Sequence, residues 1–151
     1  MKFAKWALSV FFLDRLTKSL IQQYLVEGES LPVINGIFHF TYYRNPGAAF
    51  NVLAYRTQFF ILITLAVLAI ILFYYNKIPA DRPYARTALA LQFGGAAGNL
   101  FDRLFGGYVI DFLDFRVFPV FNIADSAIVI GVIILSWQIL TWPEEENAGQ
   151  E

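Results

Sequence analysis

The stretch TQFFILITLAVLAIILFYYN, residues 57–76, contains no charged residue and lies between Arg56 and Lys77. Crossing the hydrocarbon core of a bilayer takes about 20 mostly apolar residues in an α-helix, so this stretch predicts a transmembrane helix. The composition agrees, because 58% of the 151 residues are hydrophobic and only 15% are charged. Soluble domains have about 45–50% apolar and about 25% charged residues.

Three further segments are long and apolar enough to cross a bilayer: residues 5–25, 86–105 and 121–142. Residues 5–25 fit least well, because Asp14, Arg15 and Lys18 interrupt them. No small-residue cleavage site follows their apolar run, so we expect a retained helix rather than a signal peptide. We therefore expect an all-α membrane protein with four transmembrane helices, forming a single domain over residues 1–151.

The basic residues indicate an orientation. With four crossings, both termini lie on one side, and five cations flank the helix ends on that side: Lys2, Lys5, Lys77, Arg82 and Arg86. Because short cytoplasmic loops are enriched in Lys and Arg, we expect both termini in the cytoplasm. Four arginines on the other side make this bias modest: Arg44, Arg56, Arg103 and Arg116.

Two segments are then expected on the exterior side, at residues 27–56 and 106–120. Residues 37–44 are aromatic and β-prone, and turn signals precede and follow them. We expect short strands there, lying at the membrane surface. The second segment is expected to be a connection, and it carries Asp111 and Asp114.

The residue inventory excludes several kinds of chemistry. The chain has no Cys and a single His, so thiolate catalysis, Cys-ligated zinc and a multi-His metal site are excluded. The net charge of -1 provides no global basic field for binding nucleic acid. Thr17 and Ser126 lack a credible His partner for a triad. Carboxylates, amides, Arg, Lys and hydroxyls remain.

Polar residues recur where lipid is expected, and each is a candidate for function because an unpaired polar group is costly in a membrane. Helical spacing places three sets on shared faces: Asn99 with Asp102 and Arg103, Asn122 with Asp125, and Asp14 with Lys18. Four carboxylates are expected at the exterior face: Asp102, Asp111, Asp114 and Asp125. Two acids brought together can share one proton, so that one activates water while the other polarises a carbonyl.

Ordinary structural roles are open for the same residues. Asn122 and Asp125 fit a helix N-cap with an acid in the first turn. The other structural readings are an interfacial ion pair for Asp102 and Arg103, solvated loop acids for Asp111 and Asp114, and an Asp14–Lys18 pair whose ammonium reaches the interface. His39 reads as a strand residue. The Gly94-x-x-x-Gly98 spacing favours close helix packing.

Five motifs occur in this order: Asp14-x-x-x-Lys18; Asn45-Pro46-Gly47-Ala48-Ala49-Phe50; Gly95-Ala96-x-Gly98-Asn99-x-x-Asp102-Arg103; Gly107-Tyr108-Val109-Ile110-Asp111-Phe112; and Phe121-Asn122-Ile123-Ala124-Asp125-Ser126. With these motifs the chain resembles the bacterial lipoprotein signal peptidases, the signal peptidase II family. The resemblance covers the chain from Asp14 to Ser126.

The resemblance implies a multi-pass aspartyl endopeptidase of the bacterial inner membrane, which cleaves prolipoproteins before a diacylglyceryl-modified Cys near the exterior face. It implies a small exterior β-cradle between the first and second helices, and Asp111 and Asp125 as the catalytic acids. Supporting or substrate-binding positions are implied at Asn45, Asn99, Asp102, Arg103, Asn122, Asp14 and Lys18. It implies prolipoproteins and membrane lipids as partners, and sensitivity to the antibiotic globomycin. We expect no metal or cofactor, no nucleic acid as a partner, and a monomer.

Three other functions stay open on the residues alone. A small proton-coupled transporter would use the membrane acids as a relay, although they crowd at one face. A structural or assembly protein would need no acid pair. A Mg²⁺-dependent lipid-phosphate enzyme would need cations beside the acids, for which Arg103, Arg116 and Arg44 are available.

Overall fold

The computed structural model describes residues 2–47 and 56–141. Seven elements follow one another along them: α1 (Lys2–Tyr24), β1 (Ser30–Ile34), β2 (Phe38–Asn45), α2 (Thr57–Tyr75), α3 (Pro83–Phe105), β3 (Val109–Asp114) and α4 (Ile123–Leu140). Each predicted helical segment corresponds to one of the four helices. The last one starts two residues later than expected, because Asn122 is the N-cap of α4. Residue 142 lies outside the described residues.

Two of the described helices, α2 and α4, are long and apolar enough to cross a membrane by their length and composition. Their apolar side chains point mostly outward, and Ile71 is the one buried residue of α2. A helix that is apolar on all sides yet little buried by protein suits a lipid environment. By the same criteria α1 and α3 do not qualify, because charged residues interrupt their apolar sequence.

Helix α3 occupies the centre, where it contacts α1, α2 and α4. Glycines permit this close packing. A Cβ atom on Gly94 would lie 2.5 Å from the carbonyl oxygen of Ala7 in α1, and one on Gly95 would clash with that of Ala124 in α4. A Cβ on Gly98 would come within 2.6 Å of the Asp14 carboxylate. The packing role expected of the Gly94-x-x-x-Gly98 spacing is confirmed.

The strands form one antiparallel sheet in the order β1-β2-β3. Strands β1 and β2 confirm the expectation for the segment between the first two helices. Strand β3 was not predicted: it comes from the connection between α3 and α4, so the sheet does not lie between the first two helices alone. Its sequence VIDFLD buries both of its acids, which hides the usual alternation of apolar and polar residues.

Ring contacts define one end of the helices. The Phe3 ring lies 4.4 Å from the Tyr75 ring and 5.3 Å from the Phe93 ring. These two ring contacts join the start of α1 to the end of α2 and to the first half of α3. The sheet, the end of α3 and the start of α4 lie at the other end, where β3 connects the two helices. The candidate site residues gather at that second end.

Candidate active site

Asp111 lies on β3 with only 2% of its surface exposed. Both of its carboxylate oxygens accept hydrogen bonds from amides. Asn45 Nδ2 donates to Oδ2 at 2.8 Å, and Asn122 Nδ2 donates to Oδ1 at 2.7 Å. Strand pairing places Asp111 opposite Tyr43 of β2. The reading of Asp111 as a solvated loop acid is therefore wrong, because the strand inserts it between neighbouring elements.

Asp125 lies in the first turn of α4, where it completes a capping box with Asn122. The Asp125 backbone N–H donates to Asn122 Oδ1 at 2.8 Å, and Asp125 Oδ2 accepts from the Asn122 backbone N–H at 3.3 Å. Its other oxygen, Oδ1, accepts from Asn99 Nδ2 at 2.7 Å. The expected N-cap is confirmed, and it fixes the position of a carboxylate that also faces a cavity.

Asp111 and Asp125, hereafter the aspartate pair, line the same cavity of about 670 Å³. Asn45, Asn99 and Arg103 supply further polar groups. The apolar lining includes Phe60, Phe118, Phe121, Ile128 and Val129. The cavity therefore combines a small polar region that contains two acids with extensive apolar walls.

The surroundings of Asp111 favour its protonated form. Burial raises the pKa of Asp111 to about 7, and the negative charge of Asp125 acts in the same direction. The hydrogen bonds from Asn45 and Asn122 lower the pKa, but they do not cancel these effects. Near neutral pH the aspartate pair can consequently hold a proton on one carboxyl while the other is ionised.

A buried ionic cluster lies behind the cavity, centred on Lys18. The Lys18 side chain is fully buried, and its Nζ lies 2.8 Å from Asp14 Oδ2 and 2.7 Å from Asp102 Oδ2. Arg15 also pairs with Asp102. Two cations and two carboxylates thus neutralise one another. The expectation that Lys18 reaches the interface is wrong, because its ammonium group finds both carboxylates inside the protein.

Members of this cluster also hold the backbone around the aspartate pair. Asp14 Oδ1 accepts a hydrogen bond from the Ala124 N–H at 3.0 Å, next to Asp125 in the chain. Asp102 Oδ2 accepts one from the Ile110 N–H at 3.2 Å, next to Asp111. The cluster therefore ties α1 and α3 to the two segments that carry the acids.

Asp102 and Arg103 do not form the expected interfacial pair. They are neighbours in the helix and point to different places: Asp102 into the ionic cluster, and Arg103 toward the cavity. Arg103 Nη2 donates to the Gly47 carbonyl oxygen at 3.3 Å, and its guanidinium lies 5.0 Å from the centre of the Phe60 ring. Asp102 is a structural anion, whereas Arg103 is a cation of the cavity wall.

Asp114 is brought to the same strand as Asp111 but does not line the cavity. Its carboxylate accepts hydrogen bonds from Thr41 Oγ1 at 2.7 Å and from the Arg116 side chain and backbone, both at 2.8 Å. Burial opposes ionisation, but these hydrogen bonds outweigh it and lower the pKa of Asp114. Of the four acids expected at one face, two line the cavity. Asp114 is buried rather than solvated.

His39 lies on β2, where its Nδ1 is 3.0 Å from Ser30 Oγ, and it does not line the cavity. Within residues 2–47 and 56–141, no cluster of three or more His, Cys, Asp or Glu side chains has the geometry to hold a metal ion.

The sequence did not identify Phe60 as a residue of the cavity wall. Nothing in the sequence distinguishes one Phe of an apolar helix from another. Arg15 could have been identified as a member of the ionic cluster, because a charged residue in a membrane segment needs a partner of opposite charge.

The family of the chain follows from comparison with known proteins. The family model described as Signal peptidase (SPase) II matches residues 6–141. The chain belongs to the signal peptidase II family. It is 56% identical over 140 residues to the lipoprotein signal peptidase of Moorella thermoacetica, covering 93% of both chains. It is 53% identical over 139 residues to that of Desulfitobacterium hafniense strain Y51, covering 91% of this chain and 92% of the relative.

Two solved structures, each of a bacterial membrane enzyme, share the fold of this family member. One is 33% identical with a TM-score of 0.89 and covers 99% of this chain and 93% of its own. The other is 34% identical with a TM-score of 0.85 and covers 93% of this chain and 94% of its own. This signal peptidase II homologue is therefore a protease of a bacterial membrane.

The ionic cluster of this signal peptidase II homologue yields a stability prediction. We expect Lys18→Met to lower the stability of the fold by about 3–5 kcal/mol, because it leaves Asp14 and Asp102 buried without their shared ammonium. Thermal unfolding in detergent measures the loss. Lys77→Met is the matched control, since Lys77 is an exposed cation whose ammonium lies 5.4 Å from the Phe73 ring. Equal melting temperatures for the two variants would contradict the central role of Lys18.

Proposed function

We propose that this chain removes signal peptides from prolipoproteins by hydrolysing the peptide bond before a diacylglyceryl-modified cysteine, and that it does so as an aspartyl protease. One observation carries the proposal: two buried carboxyl groups, of Asp111 and Asp125, line one cavity and are both held by amide donors. Membership of the signal peptidase II family and the lipoprotein signal peptidases among its relatives support it.

In the proposed reaction the aspartate pair holds one proton. The ionised carboxylate takes a proton from a water molecule, and the water oxygen adds to the carbonyl carbon of the scissile bond. The protonated carboxyl donates its proton to the carbonyl oxygen, which gives a neutral tetrahedral intermediate. When this intermediate collapses, the carbon–nitrogen bond breaks and the leaving amine takes up the proton that the first carboxylate removed from water. A hydroxyl group of the intermediate returns its proton to the second carboxylate, so the pair again holds one proton. No metal or cofactor is required.

Three asparagines position the aspartate pair in this proposal. Asn45 and Asn122 hold Asp111, while Asn99 and the Asn122 backbone hold Asp125. Two hydrogen bonds fix the orientation of the Asn99 side-chain amide. Its Oδ1 accepts from Lys18 Nζ at 2.9 Å and from Asn122 Nδ2 at 3.1 Å. Only its Nδ2 is then available to Asp125. Lys18 acts on the site through Asn99 without touching substrate.

Arg103 contributes in a different way. Its contact with the Gly47 carbonyl joins the residues that follow β2 to the cavity wall, close to Asn45. Its positive charge acts on both members of the aspartate pair. We assign it to holding this side of the cavity and to favouring ionisation of the pair.

The apolar walls suit a lipidated substrate. Phe60, Ile128 and Val129 present hydrocarbon to the same space that the acids face. Burying each CH₂ group of an acyl chain contributes about 0.8 kcal/mol. Acyl chains in this cavity would supply affinity that does not depend on the sequence of the substrate.

We further propose that all four helices span the inner membrane as a single, monomeric peptidase domain. Asp14 and Lys18 of α1 are buried, while its Phe12, Leu16 and Leu20 face outward toward the expected lipid. The ionic cluster is neutral, which reduces the cost of charges at that depth. Both termini would be cytoplasmic by the distribution of Lys and Arg, and the aspartate pair would lie near the exterior face.

The transporter alternative is not proposed. A proton relay needs titratable groups spaced along a path through the protein. The cavity acids and the ionic cluster instead gather where α3 ends and α4 begins. Asp14 and Lys18 form an ion pair inside that cluster.

The aspartate pair is tested by Asp111→Asn and Asp125→Asn. Each should reduce cleavage of a diacylglyceryl-modified prolipoprotein peptide by about 100-fold or more, because neither half of the acid–base pair works alone. The matched control is Asp114→Asn, which alters a second buried acid of the same strand that does not line the cavity. Near-normal cleavage by either cavity variant, with both folded in detergent, would contradict the assignment.

The orientation is tested with single cysteines, which the chain otherwise lacks. Ser30→Cys and Ala80→Cys lie at opposite ends of the helices, on β1 and before α3. An impermeant thiol reagent applied to intact cells should label the first and not the second. As a control, the reagent should label the Ala80→Cys variant once the cells are disrupted. Labelling of only the Ala80→Cys variant in intact cells would invert the orientation.

A further inference from the structure

A second cavity, of about 270 Å³, lies at the end of the helices opposite the aspartate pair. Three helices meet there: α1 begins, α2 ends and α3 begins. Its lining includes Lys2, Phe3 and Trp6 of α1, Tyr75 of α2, and Arg86 and Thr87 of α3. The family resemblance and the proposed reaction give this cavity no role.

The described lining of the second cavity holds two cations, Lys2 and Arg86, and no acid. Within the described residues, neither cation lies within ion-pair distance of an acid. Lys18, in contrast, is paired with two carboxylates. A small space lined by two cations and no carboxylate favours an anionic ligand.

Arg86 is held in position by the cavity wall. Its guanidinium lies 4.4 Å from the centre of the Tyr75 ring, and Phe3 packs against the same ring. Stacking on an aromatic face leaves the planar edge of the guanidinium free to donate hydrogen bonds. That edge matches the oxygens of a phosphate group, which Arg recognises with two parallel hydrogen bonds. Thr87 adds a hydroxyl group nearby.

The depth of the cavity indicates where such a phosphate would come from. The apolar sequence of α2 ends at Tyr75, and Trp6 of the cavity wall is 44% exposed. Tyr and Trp side chains are typical of the level of lipid headgroups in membrane proteins. Basic pockets between membrane helices are known to bind anionic headgroups. Free peptides and nucleotides are less suited to so small a space at this depth.

We propose that this second cavity binds the phosphate headgroup of an anionic phospholipid, with Arg86 and Lys2 as its cationic partners. The lipid would join the start of α1 to the start of α3 at the end remote from catalysis. The occupant is a resident lipid of the membrane rather than the substrate's diacylglyceryl group, which carries no phosphate.

Trp6 provides a direct readout. In a Trp137→Phe, Trp142→Phe background, Trp6 is the only tryptophan, because the chain has three. In zwitterionic micelles, brominated phosphatidylglycerol should quench its fluorescence at lower mole fractions than brominated phosphatidylcholine. Arg86→Gln and Lys2→Gln should each reduce this preference by about fivefold. Lys77→Gln is the matched control, since it removes a cation from the same end but outside the cavity, and it should keep the preference.

Three results would overturn the proposal. The first is equal quenching by the two lipids, and the second is an equal loss of preference in Lys77→Gln and Arg86→Gln, which would indicate a diffuse field. The third is complete loss of the preference in millimolar inorganic phosphate, which would indicate a site for free anions. The melting temperatures of the Arg86→Gln and Lys2→Gln variants are measured in the same detergent. Lys2→Gln keeps the test decisive if Arg86→Gln fails to fold, because Lys2 lies at the very start of α1.

Discussion

The buried ammonium group of Lys18 is the contact on which the rest of this structure depends. A charge without water needs partners, and Lys18 has three: Asp14, Asp102 and Asn99. Each partner then holds another part of the molecule, since Asp14 bonds the start of α4, Asp102 bonds β3, and Asn99 bonds Asp125. One side chain on α1 therefore sets the relative positions of the elements that carry the aspartate pair.

This arrangement separates structural charges from the acids of the cavity. Lys18 and Arg15 neutralise carboxylates behind the cavity, whereas the hydrogen bonds to Asp111 and Asp125 come from amides. An amide donor fixes the position of a carboxylate without contributing a full positive charge. A directly bonded cation would favour the doubly ionised pair, which has no proton to donate. The use of asparagines is thus consistent with a pair that must keep one proton.

Some of this could be predicted from the sequence, because the signals are local. The apolar run of α2, the glycine spacing of α3 and the capping box of α4 each depend on residues a few positions apart. Strand β3 and the partners of Lys18 could not be predicted in the same way. The acids of β3 are buried by elements that lie elsewhere in the chain. Asp102 lies 84 residues from its partner Lys18, and the neighbouring Arg103 was wrongly expected to pair with it. The resemblance identified residues but not how they are held.

The central claim is that Asp111 and Asp125 act together with one shared proton. The most direct test is the dependence of kcat/KM on pH, with a diacylglyceryl-modified peptide and EDTA present. Because burial raises the pKa of Asp111 to about 7, the rate should fall as the pH rises through that value and the pair becomes doubly ionised. It should also fall at low pH, when both acids are protonated. A rate that keeps rising well above neutral pH, or that needs an added divalent metal, would contradict the claim.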